Sequence, residues 1–181
     1  MENRIKLLIL DVDGIMTNGT KTYDQSGLGI TKNFCDKDWT AIKRFKAVGV
    51  EVIFLTGDPF NLGIAKRRQV DCIVNRDSDY HKCKSTYLPE ILEKYQVTVD
   101  EIAYFGDDLF DIGIIRCVKY NYCPEDAPNM VKDYCDIING KGGENLVAIL
   151  FDYLEQEGYI QKVSYEKVIG LINELDKKQV F

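Results

Sequence analysis

Five aspartates fall in two short runs: Asp11 and Asp13 in LLILDVDGIMT, and Asp107, Asp108 and Asp111 in EIAYFGDDLFD. In both, an apolar stretch leads straight into carboxylates with a glycine beside them. A lone strand-end Asp is ordinarily a turn former, but two that bracket Val12 ahead of Gly14 suit metal or phosphoryl chemistry. Crowded carboxylates repel one another unless a cation lies between them. An all-oxygen donor set, in a chain whose single histidine is His81, selects a hard ion, and Mg²⁺ is the usual one beside phosphate. Thr56-Gly57 in VEVIFLTGD adds a hydroxyl and backbone N–H groups, and Lys82 and Lys84 in YHKCKSTY add an ammonium. With a cation offsetting the acids, one carboxylate is free to attack phosphorus while Thr56 and the amides near Gly57 hold the non-bridging oxygens.

These residues work together only if the fold gathers them. KLLILD, VEVIFLTGD, DCIVN and EIAYFGD read as buried strands because their apolar residues are continuous, and VKYNYC and CDIIN are weaker strand candidates. Helical patterns alternate with them: one capped by Asp38 and ended by Gly49, one through NLGIAKRRQ after Pro59, one through STYLPEILEKY started late or kinked by Pro89, and one from LFDIGIIRC. GGENLVAILFDYLEQEG and SYEKVIGLINELDKK close the chain as amphipathic helices, the last over about 163–178. A hairpin is expected over about 19–34, around DQSGLG. The expected fold is therefore α/β: a Rossmann-like three-layer sandwich with a mainly parallel central sheet and a β-hairpin inserted after the first strand, in one domain over 1–181. Parallel strands converge at their C-terminal ends, where ligands bind. On an extended strand, Asp11 and Asp13 face one way and Val12 the other.

The ordered set DVDGIMT, LTGD, a downstream Lys and GDDLFD resembles the four signatures of the haloacid dehalogenase superfamily of aspartyl phosphatases, over roughly Lys6 to Leu150. The hairpin, KNFCDKDWTAIKRFKAVGV and EILEKYQVTVDEIAYFGDDLFD are similar to its capless members, which act on 3-deoxy-D-manno-octulosonate 8-phosphate or nonulosonate 9-phosphates. The resemblance implies a Mg²⁺-dependent phosphatase for a small phosphorylated sugar or sugar acid. It implies Asp11 as nucleophile and metal ligand, and Asp13 as general acid and base whose backbone carbonyl also touches the metal. Thr56, Gly57 and Lys84 would bind phosphate, with Lys84 preferred to Lys82 by its offset from EILEK. Asp107 would ligate the metal, and Asp108 and Asp111 would stand behind it or hold its water. It further implies a homotetramer assembled through the hairpins, a neighbour closing the site. Three positions depart from the resembled pattern. Trp39 replaces a glycine, Asp58 replaces an arginine, and Asn145 stands where an arginine is usual. They bear on the substrate rather than on the phosphoryl chemistry.

Composition sets the outer limits. The 181 residues are 45% hydrophobic and 29% charged, with a net charge of −6, which argues against a nucleic-acid partner. No apolar run reaches the roughly 20 residues of a membrane span, and MENRIKLLIL is broken at once by Asp11. The six scattered cysteines, without a C-x-x-C pair, read as reduced thiols of a cytoplasmic protein. Two other readings are weighed. A signalling receiver domain also uses strand-end acids, Mg²⁺, Thr and Lys, but it places its acid pair side by side. A non-catalytic module associated with nucleotide-sugar synthesis would account for Asp58 and Asn145.

Overall fold

The computed structural model describes residues 2–27, 30–76 and 80–177. Six parallel strands form the central sheet: β1 (Leu7–Leu10), β4 (Glu51–Thr56), β5 (Asp71–Val74), β6 (Ile102–Phe105), β7 (Tyr120–Pro124) and β8 (Asp136–Ile138). Their order is β5-β4-β1-β6-β7-β8. The chain first winds outward from β1 through β4 to β5, then returns to the other side of β1. The switch point thus lies between β1 and β6, and Leu10 of β1 is in register with both Phe54 and Phe105. Asp11 and Asp107 follow these two neighbouring strands, so topology alone brings the two acidic runs face to face.

Why β1 is a continuous apolar run is plain from what covers it. Leu8 and Leu10 pack under α1 (Asp36–Ala47) and α6 (Leu146–Gln156), with Phe45, Phe54, Leu150 and Phe151. Leu7 and Ile9 pack on the opposite face with Leu88 and Ile91 of α3 (Leu88–Tyr95) and Ile114 and Ile115 of α4 (Ile112–Ile115). Both faces of the strand are buried, so neither can be polar. The remaining helices are α2 (Asn61–Arg68), α5 (Asn129–Lys132) and α7 (Tyr165–Asp176). The last packs on α1, where Lys43 pairs with Asp176.

The expected hairpin forms as β2 (Thr22–Tyr23) against β3 (Ile30–Thr31), antiparallel, while Leu28 and Gly29 of the expected segment lie outside the described residues. Pro89 does start its helix late: a 3₁₀ turn over Lys84–Tyr87 precedes α3. Two expectations need correction. Asp38 does not cap α1, whose N-cap is Cys35; its carboxylate instead accepts the N–H groups of Val147 (2.9 Å) and Ala148 (3.1 Å) at the start of α6. A cap that serves a distant helix leaves no local signature. The helix expected from LFDIGIIRC is shorter, a 3₁₀ turn over Leu109–Asp111 followed by one turn of α-helix.

Candidate active site

The floor of the site lies at the C-terminal ends of β1 and β6. Asp11, Asp107 and Asp111 each offer a carboxylate oxygen within 4.8 Å of the others. Asp11 is anchored by its N–H to Phe105 O (2.9 Å), while its Oδ1 accepts the Val12 N–H (2.7 Å). Lys84, 2% exposed, reaches in from the 3₁₀ turn. Its Nζ lies 2.6 Å from Asp111 Oδ1 and 3.2 Å from Asp11 Oδ2, and donates to the Tyr104 hydroxyl (3.0 Å). Tyr104 donates in turn to Asp111 Oδ1 (2.6 Å), and the Asp108 N–H takes Asp111 Oδ2 (3.0 Å). Both Asp111 oxygens are therefore engaged, and this residue orders the floor from behind. Lys82 is exposed, and its main chain is bound to Asn75.

Asp107 is different. Its Oδ1 is buried and has no hydrogen-bond partner among the described residues. Burial, then the charges of Asp11, Asp111 and Asp108, push its pKa up to about 8. Asp11 is pushed up to about 7, by burial above all and against the pull of Lys84. Burial alone would draw the Lys84 ammonium down, but Asp11 and Asp111 outweigh it and hold the lysine above its ordinary range. A buried, unpartnered carboxylate oxygen facing a second acid lacks a counter-charge. Oxygen donors at that spacing, without His or Cys, fit a hard divalent cation. Gly14, with φ +91°, leaves room for the Asp107 carboxylate, which a Cβ there would overlap.

Above the floor opens a cleft of about 300 Å³, lined among others by Asp11, Asp13, Thr56, Gly57, Lys84, Asp107 and Asp108. Every sequence-predicted residue except Asp111 thus faces one space, and Asp111 lies directly behind it. Thr56, 1% exposed, accepts from Asn61 Nδ2 (2.8 Å) and the Asp58 N–H (3.3 Å), which leaves its own hydroxyl proton free for a ligand. Sequence and structure relatives share this frame. The model of the haloacid dehalogenase-like hydrolases matches residues 78–150. The 3-deoxy-D-manno-octulosonate 8-phosphate phosphatase of Haemophilus influenzae is 30% identical over 157 residues, covering 86% of this chain and 85% of that one. The chain belongs to the haloacid dehalogenase-like hydrolases.

Other members agree with that placement. The Escherichia coli K12 phosphatase of the same name is 28% identical over 83% of this chain and 79% of its own. The cobalt-bound H. influenzae structure superposes with a TM-score of 0.76 at 26% identity, covering 84% of this chain and 88% of that one. The Moraxella catarrhalis enzyme, solved with magnesium, phosphate and its sugar acid, shares the fold with a TM-score of 0.76 at 24% identity, covering 87% and 90%.

Several residues of this hydrolase site were not found from sequence. Lys32, just after β3, has a fully buried side chain that binds Asp13 (2.7 Å), Asp58 (2.8 Å) and Asn61 Oδ1 (2.9 Å) at once. Asn61 also donates to Asp13 Oδ2 (3.2 Å). The one sequence signal was weak: a lysine in an otherwise β-branched segment. Asp58, the acid found where an arginine is usual in the resembled pattern, pairs with Lys21 (2.7 Å) as well as Lys32. Burial alone would raise its pKa, yet hydrogen bonds from these two lysines hold it well below the carboxylate range. The negative charge of the second motif is therefore offset by the hairpin. Trp39 does not reach the cleft. It is 4% exposed and packs between Phe34 and Phe54, with Arg68 above its ring. Asn145 also lies outside the cleft, in the left-handed conformation that starts α6.

Proposed function

We propose that this hydrolase is a Mg²⁺-dependent phosphomonoesterase acting on a small phosphorylated sugar acid of the 3-deoxy-octulosonate 8-phosphate or nonulosonate 9-phosphate type. The observation that carries the metal is the unpartnered buried Oδ1 of Asp107 opposite Asp11. The named activity of the curated relative, and its 85% coverage, support the substrate class. Mg²⁺, held by Asp11, Asp107 and the Asp13 carbonyl, would supply positive charge to the phosphoryl oxygens and cancel repulsion between ester and acids.

The residues then divide the work. An Asp11 carboxylate oxygen attacks phosphorus, the phosphorus–oxygen bond to the sugar breaks, and Asp13 gives its proton to the leaving alkoxide. Asp13 next takes a proton from water, whose oxygen attacks the phosphorus of the aspartyl-phosphate. Inorganic phosphate leaves and Asp11 is restored. Lys32 and Asn61 fix the Asp13 carboxylate for both transfers. Thr56, the Gly57 amide and Lys84 hold the non-bridging oxygens as charge builds on them. Asp108 and Asp111 keep Lys84 and the floor in place.

The protein so read is cytoplasmic and works as a homotetramer, a neighbouring copy covering the open cleft. Exposed Tyr23 on the hairpin and Phe60 beside it support that surface. No helix among the described residues is long and apolar enough to cross a membrane. The test is phosphate release from 3-deoxy-octulosonate 8-phosphate with and without Mg²⁺. Turnover that survives both chelation and Asp11→Asn would sink the mechanism. Light scattering gives the mass of the assembly.

A further inference from the structure

The cleft is rich in acids, so its cations matter, and most are already paired. Lys84 is held by Asp11 and Asp111, and Lys21 by Asp58. Arg76 is the exception: it lines the cleft, and among the described residues no carboxylate pairs with it. Its Nη2 donates to His81 Nε2 (2.7 Å), a neutral acceptor. Burial and the nearby charges of Arg76 and Lys84 lower the His81 pKa, which keeps the imidazole in the form that can accept.

The support for this arginine is built. The backbones of Arg76 and His81 form an antiparallel bridge, closed one step further in by Lys82 N–H to Asn75 O (2.7 Å) and Asn75 Nδ2 to Lys82 O (2.7 Å). The His81 ring stacks on Phe110, centroids 4.8 Å apart and planes 29° apart. The ring also lies against Gly57, where a Cβ would come within 2.5 Å of His81 Cε1. The imidazole thus touches both the phosphate-binding turn and Phe110, and the Arg76 bonded to it lines the cleft. Phe110, 57% exposed, adds an apolar wall on the same side.

We propose that Arg76 is a specificity-determining residue that binds the carboxylate of the sugar-acid substrate, with His81 as its positioning residue. This rests on the phosphatase reading above and deepens it. A planar guanidinium with free donors suits a carboxylate, which it can take through two parallel N–H groups. The metal and Lys84 hold the phosphoryl end, and Arg76 holds the acid end. The charge of Asp58, which would repel that acid, is offset by Lys21 and Lys32.

The test compares kcat/KM for 3-deoxy-octulosonate 8-phosphate with that for a hexose 6-phosphate, which carries no carboxylate, at saturating Mg²⁺. In the wild type the acid is preferred. Arg76→Ala lowers the ratio of the two by about 10- to 100-fold, as loss of a charged hydrogen bond does. Arg76→Lys restores part of it. His81→Ala lowers the ratio in the wild type and adds little in the Arg76→Ala background, since the two act as one unit. An unchanged ratio in Arg76→Ala, or an equal loss on both esters, overturns the inference and leaves the phosphatase standing. A wild type that hydrolyses both esters alike does the same. A wild type that hydrolyses neither removes the phosphatase reading, and the inference with it. Arg76 is exposed, so the variant folds, and its melting temperature serves as the check.

Discussion

The floor and the rim of the cleft are built on opposite principles. On the floor Asp11, Lys84, Tyr104 and Asp111 are nearly sealed from water, and every contact but the Asp107 oxygen is satisfied within the protein. At the rim Lys21, Asp58, Arg76, His81 and Phe110 are partly exposed and stand beside the hairpin, on loops and on a 3₁₀ turn. A desolvated floor makes each charge count for more, which a phosphoryl transition state demands. A wet rim allows residues to be exchanged without loss of the core, as the acid at position 58 illustrates. On the proposed reading, reaction and selection fall to different parts of the same cavity.

The comparison can be broken by substitution. Asp11→Asn should lower kcat/KM by roughly 10⁴-fold or more on any ester, because a nucleophile, the role proposed for Asp11, serves all substrates alike. A loss confined to sugar acids would place Asp11 in selection instead. Lys84→Met strips Asp111 and Asp11 of their buried partner, and breaking such a pair typically removes about 3–5 kcal/mol of stability. A urea titration in Mg²⁺-free buffer measures it, and a change below about 1 kcal/mol would show the floor to be solvated like the rim.

The pH response sharpens the contrast further. Asp107 and Asp11 have folded pKa values raised to about 8 and about 7, above the ordinary carboxylate value. In the metal-free protein the folded state keeps protons that the unfolded chain loses above about pH 4. The stability these groups lend is therefore full below that pH and lost as pH rises through about 7 to 8. Without Mg²⁺ the melting temperature should be higher at pH 5.5 than at pH 8.5; Mg²⁺ should narrow the gap, and Asp107→Asn should flatten it. The smallest effect is expected at the rim. Asp58→Asn weakens the partly exposed pair with Lys21, while the buried Lys32 keeps Asp13 and Asn61 Oδ1 as partners, and should change stability by no more than about 1 kcal/mol. It should alter kcat/KM by less than about tenfold; a larger loss would move Asp58 into the phosphoryl machinery.

The same division explains what could be read from the chain. The floor was legible because its chemistry dictates residue types, and parallel topology dictates where strand ends meet; Asp11, Thr56 and Asp107 needed nothing more. Lys84 was preferred to Lys82 only through the resembled family's offset from EILEK, and it is Lys84 whose Nζ lies beside Asp11 and Asp111. Lys32 and Asn61 were missed because they reach Asp13 across 19 and 48 residues of sequence, from a hairpin and a helix start that carry no motif. Arg76 and His81 form their wall only once Gly57 and Phe110 are in place. Asp38 was misread for a related reason: an acid near a helix start usually caps it, and only tertiary packing sends this one to α6.

The turn at Gly14 has a consequence for how the enzyme comes to life. Its backbone is pressed against Gly142, whose Cβ would collide with the Gly14 carbonyl, and the Gly143 N–H bonds Ile15 O (3.0 Å). A nascent chain that has left the ribosome only as far as the turn after β6 already carries Asp11, Lys84 and Asp107, yet nothing clamps the turn between them. Competence therefore arrives late in synthesis, when the 142–143 segment emerges and Asp38 secures the helix behind it. A protease cut in that segment would disarm the protein while sparing every acid in the cleft.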